Sequence, residues 1–159
     1  MAARSVSVSH GGPSATMNHK ARQLGMTRTV FKNPTGLPAA GQRTTARDMA
    51  TLARTYLRSH PQAMRYHSLR SFRFNGRTLG ATNTMLGIPG VDGLKTGWTV
   101  ASGYNIIVTA RRGKTRLLVV VMGGRSRAAR DMVAHSLIEA GFKAPASPQQ
   151  VRKRMRGVL

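Results

Sequence analysis

Apolar positions keep helical spacing near the start and end of this chain and strand spacing between. Met17, Ala21 and Leu24 recur at four and three residues, with Gly25 placed to end a helix in a left-handed cap, so a short helix is predicted over 17–24. Met49, Leu52, Ala53, Tyr56 and Leu57 repeat as i, i+3, i+4, i+7 and i+8, which predicts a stronger amphipathic helix. Thr44 or Thr45 can cap that helix, Asp48 sits in its first turn where a negative charge suits the dipole, and His60-Pro61 stops it. Ser71-Phe72-Arg73-Phe74 then alternates up to Asn75-Gly76, which predicts the first arm of a hairpin.

Strands are predicted next at Gly93 to Thr99, Gly103 to Arg111 and Thr115 to Met122, the last two joined tightly through Arg112-Gly113-Lys114. Tyr104 to Ala110 and Leu117 to Met122 are nearly continuous apolar runs, so both are expected to be central strands covered on two faces. Ser126 to Ala140 predicts a helix with Met132, Val133, Leu137 and Ile138 inward and Gly141 as its stop. The fold class this implies is α+β, an antiparallel sheet flanked by helices.

Composition sets the limits of that fold. A chain of 159 residues is long enough for one domain with a real core. Residues 1–16 lack periodicity and are expected to be a flexible leader, residues 17–142 the folded domain, and residues 143–159 a basic, disordered tail. The N-terminus lacks the apolar stretch of about 7 to 15 residues that a secretory signal needs, and no run of about 18 apolar residues could span a bilayer. Made as written, the chain is expected to stay in the cytoplasm.

Charge changes the picture more than size does. There are 26 Lys and Arg against four acids, Asp48, Asp92, Asp131 and Glu139, for a formal net charge of +22. Such a field draws in nucleic acid, anionic lipid or an anionic wall polymer without choosing among them. No recognition helix, zinc spacing or paired aromatics accompany it, so no specific nucleic acid is expected. The absence of cysteine excludes disulfides, a thiolate nucleophile and Cys-ligated zinc, and the five histidines show no metal spacing. Gly113-Lys114-Thr115 is a hairpin connection and not a phosphate loop, because Val108 stands where the earlier glycine is required. No metal or cofactor is therefore expected, and Met49, Met122 and Met132 are expected to fill core space.

The chemistry concentrates in Val91-Asp-Gly-Leu-Lys95-Thr-Gly-Trp-Thr99 and the following Ser102-Gly-Tyr-Asn105. On a strand, Lys95 offers a compact cation to a carboxylate and Thr96 a hydroxyl donor, while Gly97 lets another backbone lie close. Those are the properties of an edge strand that accepts a peptide by strand addition.

This phrase is similar to the lysine-threonine-glycine element of the low-molecular-mass serine D-alanyl-D-alanine carboxypeptidases, peptidase family S11. The resemblance continues through Met17-Asn18, Leu24-Gly25-Met26, Phe31 to Leu37, Thr45 to Ala50, Phe72 and Phe74, Asp92-Gly93, Gly103-Tyr104-Asn105, Gly123-Gly124-Arg125 and Gly141-Phe142, about residues 17–142. It implies part of a beta-lactamase/transpeptidase-like fold without that fold's N-terminal elements. It also implies a cell-envelope or periplasmic setting, a peptidoglycan stem peptide ending in D-Ala-D-Ala as substrate, and beta-lactams as ligands of the complete enzyme.

By the same resemblance Lys95, Thr96 and Gly97 line the substrate site, and Lys95 and Thr96 hold the terminal carboxylate region. The backbone N–H of Trp98 would supply one oxyanion-hole donor, and Arg130 a second carboxylate contact through its guanidinium. None of the serines begins a Ser-x-x-Lys or Ser-x-Asn element, so the family's nucleophile, its lysine and the third proton-transfer group have no counterpart in this sequence. The implied product is a truncated or mis-started member, inactive by itself. A non-catalytic module that binds peptidoglycan or a beta-lactam is the alternative, and a basic nucleic-acid-binding protein the weaker one.

Overall fold

The computed structural model describes residues 12–143 and, beyond them, residues 147, 149, 150, 153 and 155. Its first helix, α1 (Pro13–Gln23), begins four residues before the expected Met17, so residues 13–16 belong to it and not to a leader. The cause is local: Gly12 is the N-cap and Pro13, whose ring presets a helical φ, takes the first helical position. Gly25 has φ +75°, the left-handed conformation its position predicted.

The second helix, α2 (Ala46–Ser59), starts at Thr45, whose hydroxyl accepts the Asp48 N–H at 3.1 Å. Asp48 does more than complement the dipole. It is 4% exposed, and its Oδ2 accepts the Thr29 hydroxyl at 2.6 Å and the Arg28 N–H at 3.0 Å, tying the segment after α1 to the start of α2. Asn18 makes a second tie, donating to the Phe31 carbonyl at 2.7 Å and accepting the Phe31 N–H at 2.8 Å.

After a 3-10 turn at Pro61–Ala63 and the short α3 (Met64–His67), the hairpin of β1 (Ser71–Phe74) and β2 (Arg77–Gly80) turns at Asn75 and Gly76, both with positive φ. A second 3-10 turn, Thr84–Gly87, leads into the antiparallel sheet of β3 (Val91–Thr99), β4 (Gly103–Arg112) and β5 (Thr115–Gly124). The order is β3-β4-β5, so β4 alone is central. β5 is covered by the last helix, Arg127–Lys143, on one face and α2 on the other, as expected, but it is not central: among the described residues it is an edge strand, partly exposed along most of its length, and Met122 at its end is 40% exposed.

Strand alternation divides the sheet into two faces. Ile106, Val108 and Ala110 of β4 pack with Met85, Leu86 and Val91 against Ala134 and Ile138 of the last helix, α4 (Arg127–Lys143), and this cluster is the core. α2 lies against β5 and β4, and α3 approaches β3 at Gly93, where a Cβ would meet Met64 at 3.2 Å and His67 at 3.3 Å. Gly93 and Thr109 are register partners, and a Cβ at Gly93 would also meet Thr109 Oγ1 at 3.4 Å, so α3 packs over the face opposite the α4 cluster.

Two expectations for α4 are corrected. Its buried positions are Arg130, Ala134, Ile138, Ala140 and Gly141, and that stripe turns Met132 outward, 64% exposed. Gly141 does not stop the helix but lies within it, where a Cβ would sit 2.8 Å from Leu117 Cδ1; the glycine serves close packing on β5. Within the expected disordered tail, Gln149, Gln150 and Lys153 are helical and Met155 is 2% exposed.

Arg112 of β4 and Glu139 of α4 form a two-pronged ion pair, with Nη1 to Oε2 at 3.1 Å and Nη2 to Oε1 closer still. Hydrogen bonding to Arg112, with its positive charge, holds the Glu139 carboxyl below the ordinary carboxylate range. A lowered folded-state value contributes stability that is present above the unfolded pKa and lost as pH falls through the folded one. Glu139→Gln is therefore expected to lower the melting temperature on the neutral side and change it little in strong acid, so that the two profiles converge as pH falls; profiles that stay parallel through the acid range would refute the assignment.

Candidate functional site

β3 carries the candidate site because its pairing exposes one edge. Lys95 to Thr99 pair in register with Ile107 to Gly103 of β4, and the opposite edge of β3 has no strand partner among the described residues. Beside that edge lies a cleft of about 640 Å³. Lys95, Thr96, Gly97, Trp98 and Arg130 all line it, so the five residues singled out in the sequence converge on one space.

Each is positioned differently. Lys95 is exposed, its ammonium donating to the Thr96 carbonyl. The Thr96 hydroxyl shares a 2.8 Å hydrogen bond with that of Thr82, from the segment just after β2. Gly97 faces open space, with nothing within 4 Å of where a Cβ would stand. Trp98 is 57% exposed and forms a wall, its ring 5.7 Å from its register partner Tyr104.

Arg130 is the least expected. It is 3% exposed, not on a solvated helix face, and its Nε and Nη2 donate to Asp131 Oδ1 at 2.8 and 2.7 Å. Its Nη1 reaches the Asn105 carbonyl at 3.4 Å, and Asp131 in turn accepts the Thr84 hydroxyl at 2.6 Å. α4 can come this close because the facing residue is Gly124, where a Cβ would lie 2.9 Å from that of Arg130.

Asn105 and Thr82 also shape the cleft, and sequence patterning gave neither a role. Asn105 sits at a register irregularity between β4 and β5, donating to the Gly103 carbonyl at 2.9 Å and accepting the Gly123 N–H at 3.0 Å. It thus ties the β3–β4 turn to the end of β5. The Ser102-Gly-Tyr-Asn phrase marked the position; nothing in the sequence marked Thr82, which lies 14 residues from its partner.

Chemically, the cleft offers cations at Lys95, Arg127 and Arg130, hydroxyls at Thr82, Thr96, Thr99 and Ser102, and an aromatic wall. No Asp or Glu lines it. A carboxylate suits such a lining, since a cation and a hydroxyl can both donate to it. Among the described residues no group of three or more His, Asp or Glu could hold a metal ion, and no helix is long and apolar enough to cross a membrane.

The sequence profile of the D-alanyl-D-alanine carboxypeptidases, Peptidase_S11, matches residues 3–126, starting within the segment taken as a leader. The D-alanyl-D-alanine carboxypeptidase DacC of Escherichia coli is 37% identical over 129 residues, covering 80% of this chain and 32% of the relative. Among solved structures, penicillin-binding protein D2 from Listeria monocytogenes in its ampicillin-bound form is 34% identical with a TM-score of 0.75, covering 81% of this chain and 55% of that one. Penicillin binding protein 6B from Escherichia coli is 36% identical with a TM-score of 0.75, covering 82% and 42%. The chain thus spans about a third of the length of the curated relatives it matches.

Proposed function

The chain belongs to the D-alanyl-D-alanine carboxypeptidase family, peptidase S11, and from that premise we infer that its cleft recognises the C-terminal end of peptidoglycan stem peptides ending in D-Ala-D-Ala. The observation that carries this reading is the convergence of Lys95, Thr96, Gly97, Trp98 and Arg130 on one acid-free cleft beside the open edge of β3. The peptide lies along that edge as an added strand, its backbone close to β3 where Gly97 leaves room. Lys95 and the Thr96 hydroxyl, held by Thr82, donate to the terminal carboxylate. Arg130, clamped by Asp131, adds positive charge from beneath.

Catalysis is divided in this reading. The Trp98 N–H is one oxyanion donor, a contact worth about 3 to 4 kcal/mol to a tetrahedral transition state in related chemistry. The attacking serine, its lysine and the second donor have no counterpart among the motifs of this sequence. In this reading the polypeptide binds the peptide end without forming an acyl-enzyme, and benzylpenicillin is expected to leave its intact mass unchanged. A setting in the cell envelope follows from the substrate.

Amide chemical-shift mapping with a D-Ala-D-Ala-terminated peptide tests the reading. The largest perturbations are expected at the amides of residues 95–99. Perturbations clustered elsewhere, or none at saturating peptide, would refute it.

A further inference from the structure

Beside the cleft, the β1–β2 hairpin presents a surface that the core does not use; its Phe72, with Tyr66 and Leu69, borders a groove that reaches Thr82, Lys95 and Thr96. All eight of its strand residues are exposed, and the two strands pack chiefly on each other, their base closed by the Ala81 N–H on the Arg70 carbonyl at 2.8 Å. Register pairs Phe72 with Leu79 and Phe74 with Arg77, so alternation puts Arg73 on one side and on the other, with Arg77, gathers Phe72, Phe74 and Leu79. They are 53%, 61% and 44% exposed, with Leu69 at 47% and Tyr66 at 60% nearby. Clustered exposed apolar side chains of this kind mark an interaction surface.

The charge around it is one-sided. From residue 49 to residue 91 the sequence contains no acid and six arginines, four of them, Arg65, Arg70, Arg73 and Arg77, at or beside the hairpin. None of those four has an acidic partner among the described residues. The four acids of the chain are engaged elsewhere: Asp48 on Thr29, Asp92 on Arg116, Asp131 on Arg130 and Glu139 on Arg112. Nothing in the fold neutralises this face.

We propose that the β1–β2 hairpin docks the protein on an anionic lipid surface. Phe72, Phe74 and Leu79 enter the boundary between headgroups and acyl chains, while the arginines meet lipid phosphates. Both halves are needed, since shallow apolar insertion and electrostatic attraction each give weak binding and together give stable binding. Leucines beside the phenylalanines favour hydrocarbon over the aromatic platforms on which nucleic-acid bases stack. The docking element adjoins the peptide cleft, sharing a groove with Thr82, Lys95 and Thr96.

Vesicle flotation tests this with the full chain. Wild type should bind vesicles of equal parts phosphatidylcholine and phosphatidylglycerol and leave phosphatidylcholine vesicles unbound. Phe72→Ser/Phe74→Ser, which keeps the net charge, should bind the anionic vesicles about tenfold or more weakly. Arg73→Gln/Arg77→Gln should lose more than the equally discharged Arg22→Gln/Arg28→Gln. Circular dichroism melts establish that each variant is folded. Undiminished binding by the phenylalanine variant would overturn the proposal. So would self-association of wild type that this variant abolishes without any vesicle binding, or stronger retention on single-stranded DNA than on anionic vesicles.

Discussion

Gly103→Ala is expected to destabilise the chain by about 3 kcal/mol, as the sum of a left-handed backbone penalty of about 1 to 2 kcal/mol and an overpacking penalty of similar size. Gly103 has φ +65°, and a Cβ there would lie 2.9 Å from the Gly124 carbonyl oxygen and 3.2 Å from the Gly123 carbonyl carbon. These are backbone atoms, so no side-chain adjustment relieves the clash. The residue closes the turn between β3 and β4, where the Ser102 N–H donates to Thr99 Oγ1 at 3.0 Å and Asn105 bonds the Gly103 carbonyl. Gly97→Ala is the control: its φ is ordinary and its surroundings open, so stability should change by about 0.5 kcal/mol or less. The same methyl would stand where the bound peptide is expected, so Gly97→Ala should lose peptide affinity without losing stability. Urea titrations of both variants decide the matter, and equal midpoints would contradict it.

Asp48→Ala should cost a similar amount, about 3 kcal/mol, for a different reason. Removing the carboxylate deprives the Arg28 N–H and the Thr29 hydroxyl of their acceptor, and a buried donor left unpaired costs about 1 to 3 kcal/mol. Thr29 is 8% exposed, so water does not readily replace the lost partner. It keeps one bond, to the Thr44 hydroxyl at 2.8 Å, which limits the loss at that group. The double variant Thr29→Val/Asp48→Ala should accordingly recover about 1 kcal/mol, because removing both partners avoids the unpaired donor. A double variant no more stable than Asp48→Ala would show that the aspartate acts through the helix dipole alone.

What could be foreseen from the sequence follows the range of the interactions involved. α2 was legible because its apolar face, its Thr45 cap and its Pro61 stop are local, and the hairpin at Asn75-Gly76 because those residues tolerate positive φ. The strands around Lys95 were legible too, although β3 begins at Val91, two residues earlier than expected. Features that depend on distant partners were not. The burial of Arg130 depends on Asp131, Thr84 and the Asn105 carbonyl being brought around it, and it in turn sends Met132 outward. Gly141 looks like a helix stop until Leu117 arrives from β5. Continuous apolar runs gave β4 and β5 the same appearance, yet one is central and the other an edge, a difference set by strand order.

The site divides along the same line. Lys95-Thr96-Gly97-Trp98 stood out as one phrase on one strand, whereas Thr82 and Asn105 act on that strand from other segments. Their contribution is to hold geometry, and geometry is what distinguishes a carboxylate site from scattered positive charge on a chain of net charge +22.

That distinction is open to one direct measurement, a calorimetric titration of wild type and Lys95→Ala with a D-Ala-D-Ala-terminated peptide and with its C-terminal amide. The free acid is predicted to bind wild type about ten- to a hundredfold more tightly than the amide does, the range of one charge-assisted hydrogen bond, and Lys95→Ala should abolish most of that preference. Equal affinity for acid and amide in wild type, or a preference untouched by Lys95→Ala, would contradict carboxylate recognition by this cleft.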